Sequence, residues 1–190
     1  MKKLSKILLA TAALTAMSAC SSELSESEQA VLDARLAEEA AKPTNLTALM
    51  QANPDLSTAA LAVGQSGIAQ ELKDDGPFTS FIAPNEAFKK MEDGRLEELM
   101  TPEKKDELAG IAKYGMLNGS MTTADIAKAI TDGGGTAELT TLQGGVIKAS
   151  MDGDKVVLED GAGNKVNFVE PDIESSNGTM HIVDTVLMPS

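Results

Sequence analysis

The chain has 190 residues, 29 of them acidic and 16 basic, for a formal net charge of −13 and a mean hydropathy of −0.09. That length accommodates one ordinary domain with some chain to spare, and 24% charged residues exclude a polytopic membrane protein. The acidity excludes nucleic acid as an electrostatic partner, and one His, one Cys, one Tyr and no Trp leave little from which to build a nucleophilic or metal site.

Lys2, Lys3 and Lys6 precede an apolar stretch from Ile7 to Met17. A stretch this short cannot cross a hydrocarbon core of roughly 30 Å as a helix, so residues 1–19 are expected to form a cleaved export signal. Met17-Ser18-Ala19-Cys20 resembles the lipobox of bacterial lipoproteins, although Met17 stands where Leu is usual. The resemblance implies cleavage before Cys20 and lipidation of that cysteine with acyl chains such as palmitate; two or more chains are enough for stable anchoring. Ser21 follows instead of Asp, which implies an outer-membrane lipoprotein facing the periplasm or the cell surface. An ordinary signal peptide with an incidental cysteine is the other reading. Removing residues 1–19 leaves 171 residues at a formal charge of −16. The only thiol is then blocked, so the fold must be held by its core without disulfides.

From residue 20 to residue 43 the composition reads as an acidic tether. Glu23, Glu26, Glu28, Asp33, Glu38 and Glu39 face only Arg35 and Lys42, and Ser25 with Glu28 fits a capping box for a short helix that Pro43 would end.

Residues 44–190 are expected to form a single α+β domain. Leu46, Leu49 and Met50 repeat at helical spacing up to Asn53-Pro54, and Leu56, Ala60, Leu61, Val63, Ile68 and Leu72 continue such a pattern through Gly64 and Gly67. Phe78 to Ile82 has strand composition, Pro84-Asn85-Glu86 opens another helix, and helical runs follow over 94–100 and 102–114. A short helix starting at Thr123 stops at Asp132-Gly133. Strands are expected over 145–151 and 155–159, flanking the hairpin turn Asp152-Gly153-Asp154, then over 165–169 and 181–188. The last of these is apolar on both faces, as a central strand would be. Early helices and late hairpins are the pattern of an α+β fold.

Chemistry-bearing readings are weak. Asp152-Gly153-Asp154 and Glu159-Asp160-Gly161 lack the third ligand and closing Glu of a calcium loop, and read as turns. The eight methionines after residue 19 form no cluster and read as core filler. His181 lacks a Cys or second His partner, so hydrogen bonding near the final strand, shared with Asp184, is its expected role. No metal or cofactor is expected.

The domain is similar to fasciclin (FAS1) domains along its whole length. The likeness is carried by Asn45-Leu46, Ala52-Asn53-Pro54-Asp55-Leu56, Gly76-Pro77-Phe78-Thr79 and Ala83-Pro84-Asn85-Glu86-Ala87-Phe88, then by Tyr114 to Gly119, Leu142-Gln143-Gly144-Gly145 and the closing block Asn177-Gly178-Thr179-Met180-His181-Ile182-Val183-Asp184. It implies twisted β-sheet packed with several helices, with Pro84, Tyr114, Asn177, Gly178, His181 and Asp184 as structural motif positions. Two departures stand out. Ala83-Pro84 falls one residue late, and Tyr114-Gly115 replaces the usual Tyr-His pair, so no role of that histidine carries over. Asp172-Ile173 lies where vertebrate members present an Asp-Ile segment to integrins; here Glu174 follows where an apolar residue is usual. The segment is expected to be either a contact point or a strand-to-loop bend capped by Asp172, with no integrin partner implied. The function expected from the resemblance is non-catalytic: adhesion or binding to another protein or a matrix polysaccharide, by a monomeric domain held at the membrane. A periplasmic small-ligand binding module is the alternative.

Overall fold

The computed structural model describes residues 44–190 apart from 71, 73–75 and 92–93. The expected export signal, Cys20 and the acidic tether lie outside the described residues.

The first half of the domain is helical. Helix α1 (Leu46–Ala52) starts where the Asn45 side chain accepts the Ala48 N–H, and a 3₁₀ turn (Pro54–Leu56) leads into α2 (Ser57–Ser66). The expected continuation of α2 through Gly67 does not occur: Gly67 takes φ 83° and ends it, a left-handed conformation that glycine adopts without strain. Strand β1 (Phe78–Ile82), α3 (Asn85–Phe88), α4 (Arg95–Leu99) and, after a 3₁₀ turn at Pro102–Lys104, α5 (Lys105–Tyr114) follow. Arg95 and Lys104 both reach Glu98 and Glu107, linking α4 to α5 at the surface.

Strand β2 (Met116–Asn118), α6 (Thr123–Asp132), β3 (Thr136–Thr140), β4 (Val146–Asp152), β5 (Lys155–Glu159), β6 (Lys165–Ser175) and β7 (Gly178–Val183) complete the domain. The strands form one seven-stranded sheet in the order β2-β1-β7-β6-β5-β4-β3. A bridge between Leu117 and Thr141 brings its two ends together, so the sheet curls into a nearly closed barrel. Strands β2 and β3 are absent from the sequence reading, since three residues and a largely exposed five carry no usable pattern. Strand β6 runs past the expected end at Val169 to Ser175, with register shifts on either side of Glu170. Strand β7 starts at Gly178 and ends at Val183, five residues before the expected Met188. There the Asp184 carboxylate accepts from Asn167 N–H and Nδ2–H (2.9 and 2.8 Å), and the chain leaves the ladder.

Two cores result. Leu46, Met50, Leu56, Val63 and Leu72 pack over Phe78, Ile82, Met180 and Ile182 on one face of β1 and β7. Phe81, Tyr114, Ile126, Ile147, Leu158, Val166 and Val183 fill the inside of the curl beneath α6. Strands β1 and β7 are therefore covered on both sides, which explains their near-continuous apolar sequences. They pair in parallel, with Phe78 opposite Gly178 and Ile82 opposite Ile182.

Gly178 permits this pairing sterically. A Cβ there would lie 1.9 Å from the Phe78 carbonyl oxygen, against backbone that cannot swing away, and φ at this residue is 147°. Gly178→Ala is expected to lower the unfolding free energy by roughly 2–4 kcal/mol. The measurement is urea unfolding, where a midpoint equal to that of the parent would contradict the argument.

Candidate functional site

The closing block is held by side chains whose polar atoms are used internally. Asn177 Oδ1 accepts from the Leu46 N–H (2.9 Å) and the Ser175 hydroxyl (3.2 Å), while Asn177 Nδ2 donates to the Leu72 carbonyl. The Asn177 carbonyl accepts the Phe78 N–H at 2.9 Å. One residue thus ties the start of α1, the chain after α2 and the start of β1 to the β6–β7 turn. Pro84 precedes α3 in extended conformation, and the next side chain, Asn85, accepts the Thr58 N–H and donates to the Pro54 carbonyl. Tyr114 is buried, and its hydroxyl donates to the Val146 carbonyl at 2.8 Å; burial pushes the phenol above its ordinary value. Beside it, a Cβ at Gly115 would lie 3.0 Å from the Phe81 carbonyl oxygen.

His181 is fully buried. Its Nδ1 accepts the Asp172 N–H (3.1 Å), which leaves the hydrogen on Nε2 to be donated to the Met121 carbonyl (2.9 Å). These bonds reach β6 and the loop before α6; Asp184, expected to share them, bonds Asn167 and Thr185 instead. The ring stacks on Phe81 (centroids 5.5 Å apart, 22° between planes) and meets the edge of Phe168 at 5.3 Å. Burial pushes its pKa below the ordinary value, against the opposing pulls of the Met121 carbonyl and the Asp172 carboxylate.

Asp172 is the only non-glycine residue with positive φ among the described residues (61°). Its carboxylate accepts from Thr123 N–H (2.7 Å) and the Thr123 hydroxyl (2.5 Å), at the first residue of α6. A carboxylate at a helix start satisfies a donor that the helix leaves free. Thr122 and Asp125 add a capping box. Asp172 caps α6, but at a bulge within β6, which runs on to Ser175, and not at the expected strand-to-loop bend. Ile173 is half-buried against the first core and is not the exposed apolar contact expected beside Asp172.

Asp160 is also committed. Its carboxylate accepts from Ala162 N–H, Asn164 N–H, Asn164 Nδ2–H and Met188 N–H, closing the turn after β5. At Asp184 burial raises the pKa, but the donors from Asn167 and Thr185 and the Lys90 charge outweigh it and hold the group below the usual carboxylate range. Among the described residues no three of His, Cys, Asp and Glu come together as a metal site.

Several cavities remain among the described residues, including an open one of about 640 Å³ beside α3, along Asp55, Thr58, Asn85, Glu86 and Lys89. An apolar slot between α2, α5 and β1, lined by Val63, Phe81, Leu108, Ala112, Gly115 and Leu187, holds about 70 Å³, well under the roughly 300–1,000 Å³ of sites that enclose a small-molecule ligand. An open polar groove of about 660 Å³ runs between the loop before α6 and the end of β6, along Ser120, Thr122, Asp172, Glu174, Ser175 and Thr179. Neither Ser120 nor Thr122 was singled out as a site residue from the sequence; their loop is held beside Asp172 by Thr79 of β1, by Thr179 and His181 of β7 and by the Asp172–Thr123 bonds.

The sequence model of the fasciclin domain matches residues 54–189; α1, which packs into the first core, precedes the match. Protein sll1483 of Synechocystis is 31% identical over 137 residues, covering 72% of this chain and 69% of that protein. Human periostin is 34% identical over 147 residues, and pig transforming growth factor-beta-induced protein ig-h3 is 30% identical over 128. These stretches cover 77% and 67% of this chain but only 16% and 17% of those two proteins. A solved FAS1 domain pair from the insect cell adhesion molecule fasciclin I superposes with a TM-score of 0.69 at 19% identity, covering 77% of this chain and 51% of that one.

Because burial lowers the pKa of His181, its contribution to stability is complete above the ordinary imidazole pKa of about 6.5 and is lost as pH falls from there through its lower folded value. Unfolding free energy is expected to decline below about pH 6.5, before the carboxylates titrate. Denaturant midpoints that stay constant from neutral pH to the carboxylate range would contradict this.

Proposed function

The chain belongs to the fasciclin-domain family, and from that premise we propose that it is a non-catalytic adhesion or binding protein, anchored to a membrane through lipidated Cys20. The observation that carries this reading is where the polar chemistry lies. The buried groups that could serve catalysis, His181, Asp160 and Tyr114, are spent on main-chain partners. Outward the domain offers open grooves, among them the one bordered by hydroxyls and by Asp172 and Glu174. A rim of polar side chains around a shallow concavity suits a protein surface or a matrix polysaccharide better than an enclosed metabolite. The solved relative is described as a cell adhesion molecule, and the same class of activity is proposed here. The partner is expected to be neutral or basic, because the chain carries −13 and would repel acidic polymers.

Cys20 as the anchor places the domain at the outer membrane, facing the periplasm or the cell surface, on a tether of residues 21–43. Cys20→Ser is expected to shift the protein from the membrane to the soluble fraction and to abolish incorporation of labelled palmitate. Retention of both would refute the anchor. For adhesion, cells lacking the chain are expected to attach to surfaces less well than the parent, with attachment restored by the wild-type chain. Equal attachment would count against adhesion and leave binding within the envelope as the reading to pursue.

A further inference from the structure

The hydrogen bonds around His181 form a closed circuit. His181 on β7 accepts from the main chain of Asp172 on β6; the Asp172 carboxylate accepts from Thr123 at the start of α6; and Met121, two residues before Thr123, accepts from His181 Nε2. The loop is fixed from its other side as well, since Thr79 on β1 accepts the Met121 N–H and donates to the Gly119 carbonyl. The circuit closes only while Nδ1 is an acceptor. A proton on Nδ1 would face the Asp172 N–H, donor against donor.

The surroundings leave a protonated ring one recourse. Phe81 stacks on it from β1 and Phe168 meets it from β6, and neither carries charge. Met121 contributes a carbonyl from the loop. The Asp125 carboxylate is turned to the main chain and hydroxyl of Thr122, and that of Asp184 to Asn167. The carboxylate within reach is Asp172, with Oδ1 3.8 Å from Nδ1. The same oxygen also accepts the Thr123 N–H at 2.7 Å, so a charged ring competes with Thr123 for it, and closing the remaining distance draws the carboxylate from the start of α6 and weakens a cap there. The bulge it sits on is already strained, with Asp172 in the left-handed region and register shifts beside it.

We propose that His181 is an acid-operated latch: the neutral ring locks the 170–174 bulge to the start of α6, and protonation releases Asp172 from Thr123 and reshapes the polar groove between them. The groove is the face offered for binding above, but the latch rests on the hydrogen-bond circuit and stands whether or not the domain mediates adhesion. The device fits the role of histidine as the side chain that titrates nearest neutrality.

The test uses the full chain, in detergent if acylated. As the single histidine, His181 gives an unambiguous ring resonance, whose titration can be followed while amide exchange is measured on peptides spanning 119–126 and 168–176, with the β4–β5 hairpin as control. After correction for the intrinsic pH dependence of exchange, both segments are expected to exchange roughly fivefold faster as the ring titrates, the equivalent of one lost helix cap. The hairpin is expected to stay unchanged. His181→Gln, which cannot titrate, is expected to abolish the step. The latch is overturned if the ring titrates while both segments keep their protection, if the step persists in His181→Gln, or if the ring takes up no proton before the whole domain unfolds. Should His181→Gln fail to fold, the coincidence of ring titration and exchange in the parent still decides the matter.

Discussion

The parallel pairing of β1 with β7 sets Phe78 against Gly178, across almost the whole length of the domain. It is bought with a residue that has no side chain, because the Phe78 backbone occupies the place a Cβ would take. The neighbouring Asn177 then serves three segments: its side chain pairs with the first turn of α1 and with the carbonyl of Leu72, which lie outside the sheet, and its main-chain carbonyl takes the first N–H of β1. Buried main-chain groups left unpaired would each cost about 1–3 kcal/mol, so the Asn177 amide side chain offsets two such penalties. Both large cores lean on this seam, one on each face, and without it α1 and α2 would lose the sheet face they cover.

The same seam places the polar residues. On β7, Met180 and Ile182 face the helical core, which sends Thr179, His181 and Val183 to the opposite face, towards the loop before α6. His181 is thereby committed to a buried position in which two of the four phenylalanines of the chain, Phe81 and Phe168, enclose it. A ring in that setting is a poor general base for any outside substrate, since no face of it meets solvent. It is well placed to couple β6, β7 and α6.

Much of the local structure was legible in the sequence because its causes are local. Helix α6 announces itself through Thr122 and Asp125, and the β4–β5 hairpin through Gly153 at φ 62°. Strand β1 is a run of five residues, all buried, between a turn and a proline. The misses share a different cause. Gly67 was read as tolerated inside a helix, and only its left-handed geometry shows that it ends one. The strand β6 bulge depends on pairing with β7, which no pattern within Glu170-Pro171-Asp172-Ile173 encodes; Pro171, lacking an N–H, argued locally for an end to the strand. The capping of Thr123 by Asp172 joins positions 49 apart, and the resemblance to fasciclin domains, which supplied the order of the blocks, did not supply that contact.

The composition that first argued against catalysis also limits how the domain can hold a partner. Aromatic residues make up 3% of the chain, and the rings that define the site lie inside it, so the groove has no aromatic platform on which to stack a sugar. Recognition there, on the reading proposed above, would rest on hydroxyls, main-chain groups and the carboxylates of Asp172 and Glu174. Hydrogen bonds of that kind are directional and exchange readily with water, which favours modest affinity per contact and specificity through geometry. Such a surface gains strength by repetition. Many copies fixed to one membrane could engage an extended or repetitive partner together, and a lipid anchor would contribute to binding through effective concentration, without any additional contact in the groove.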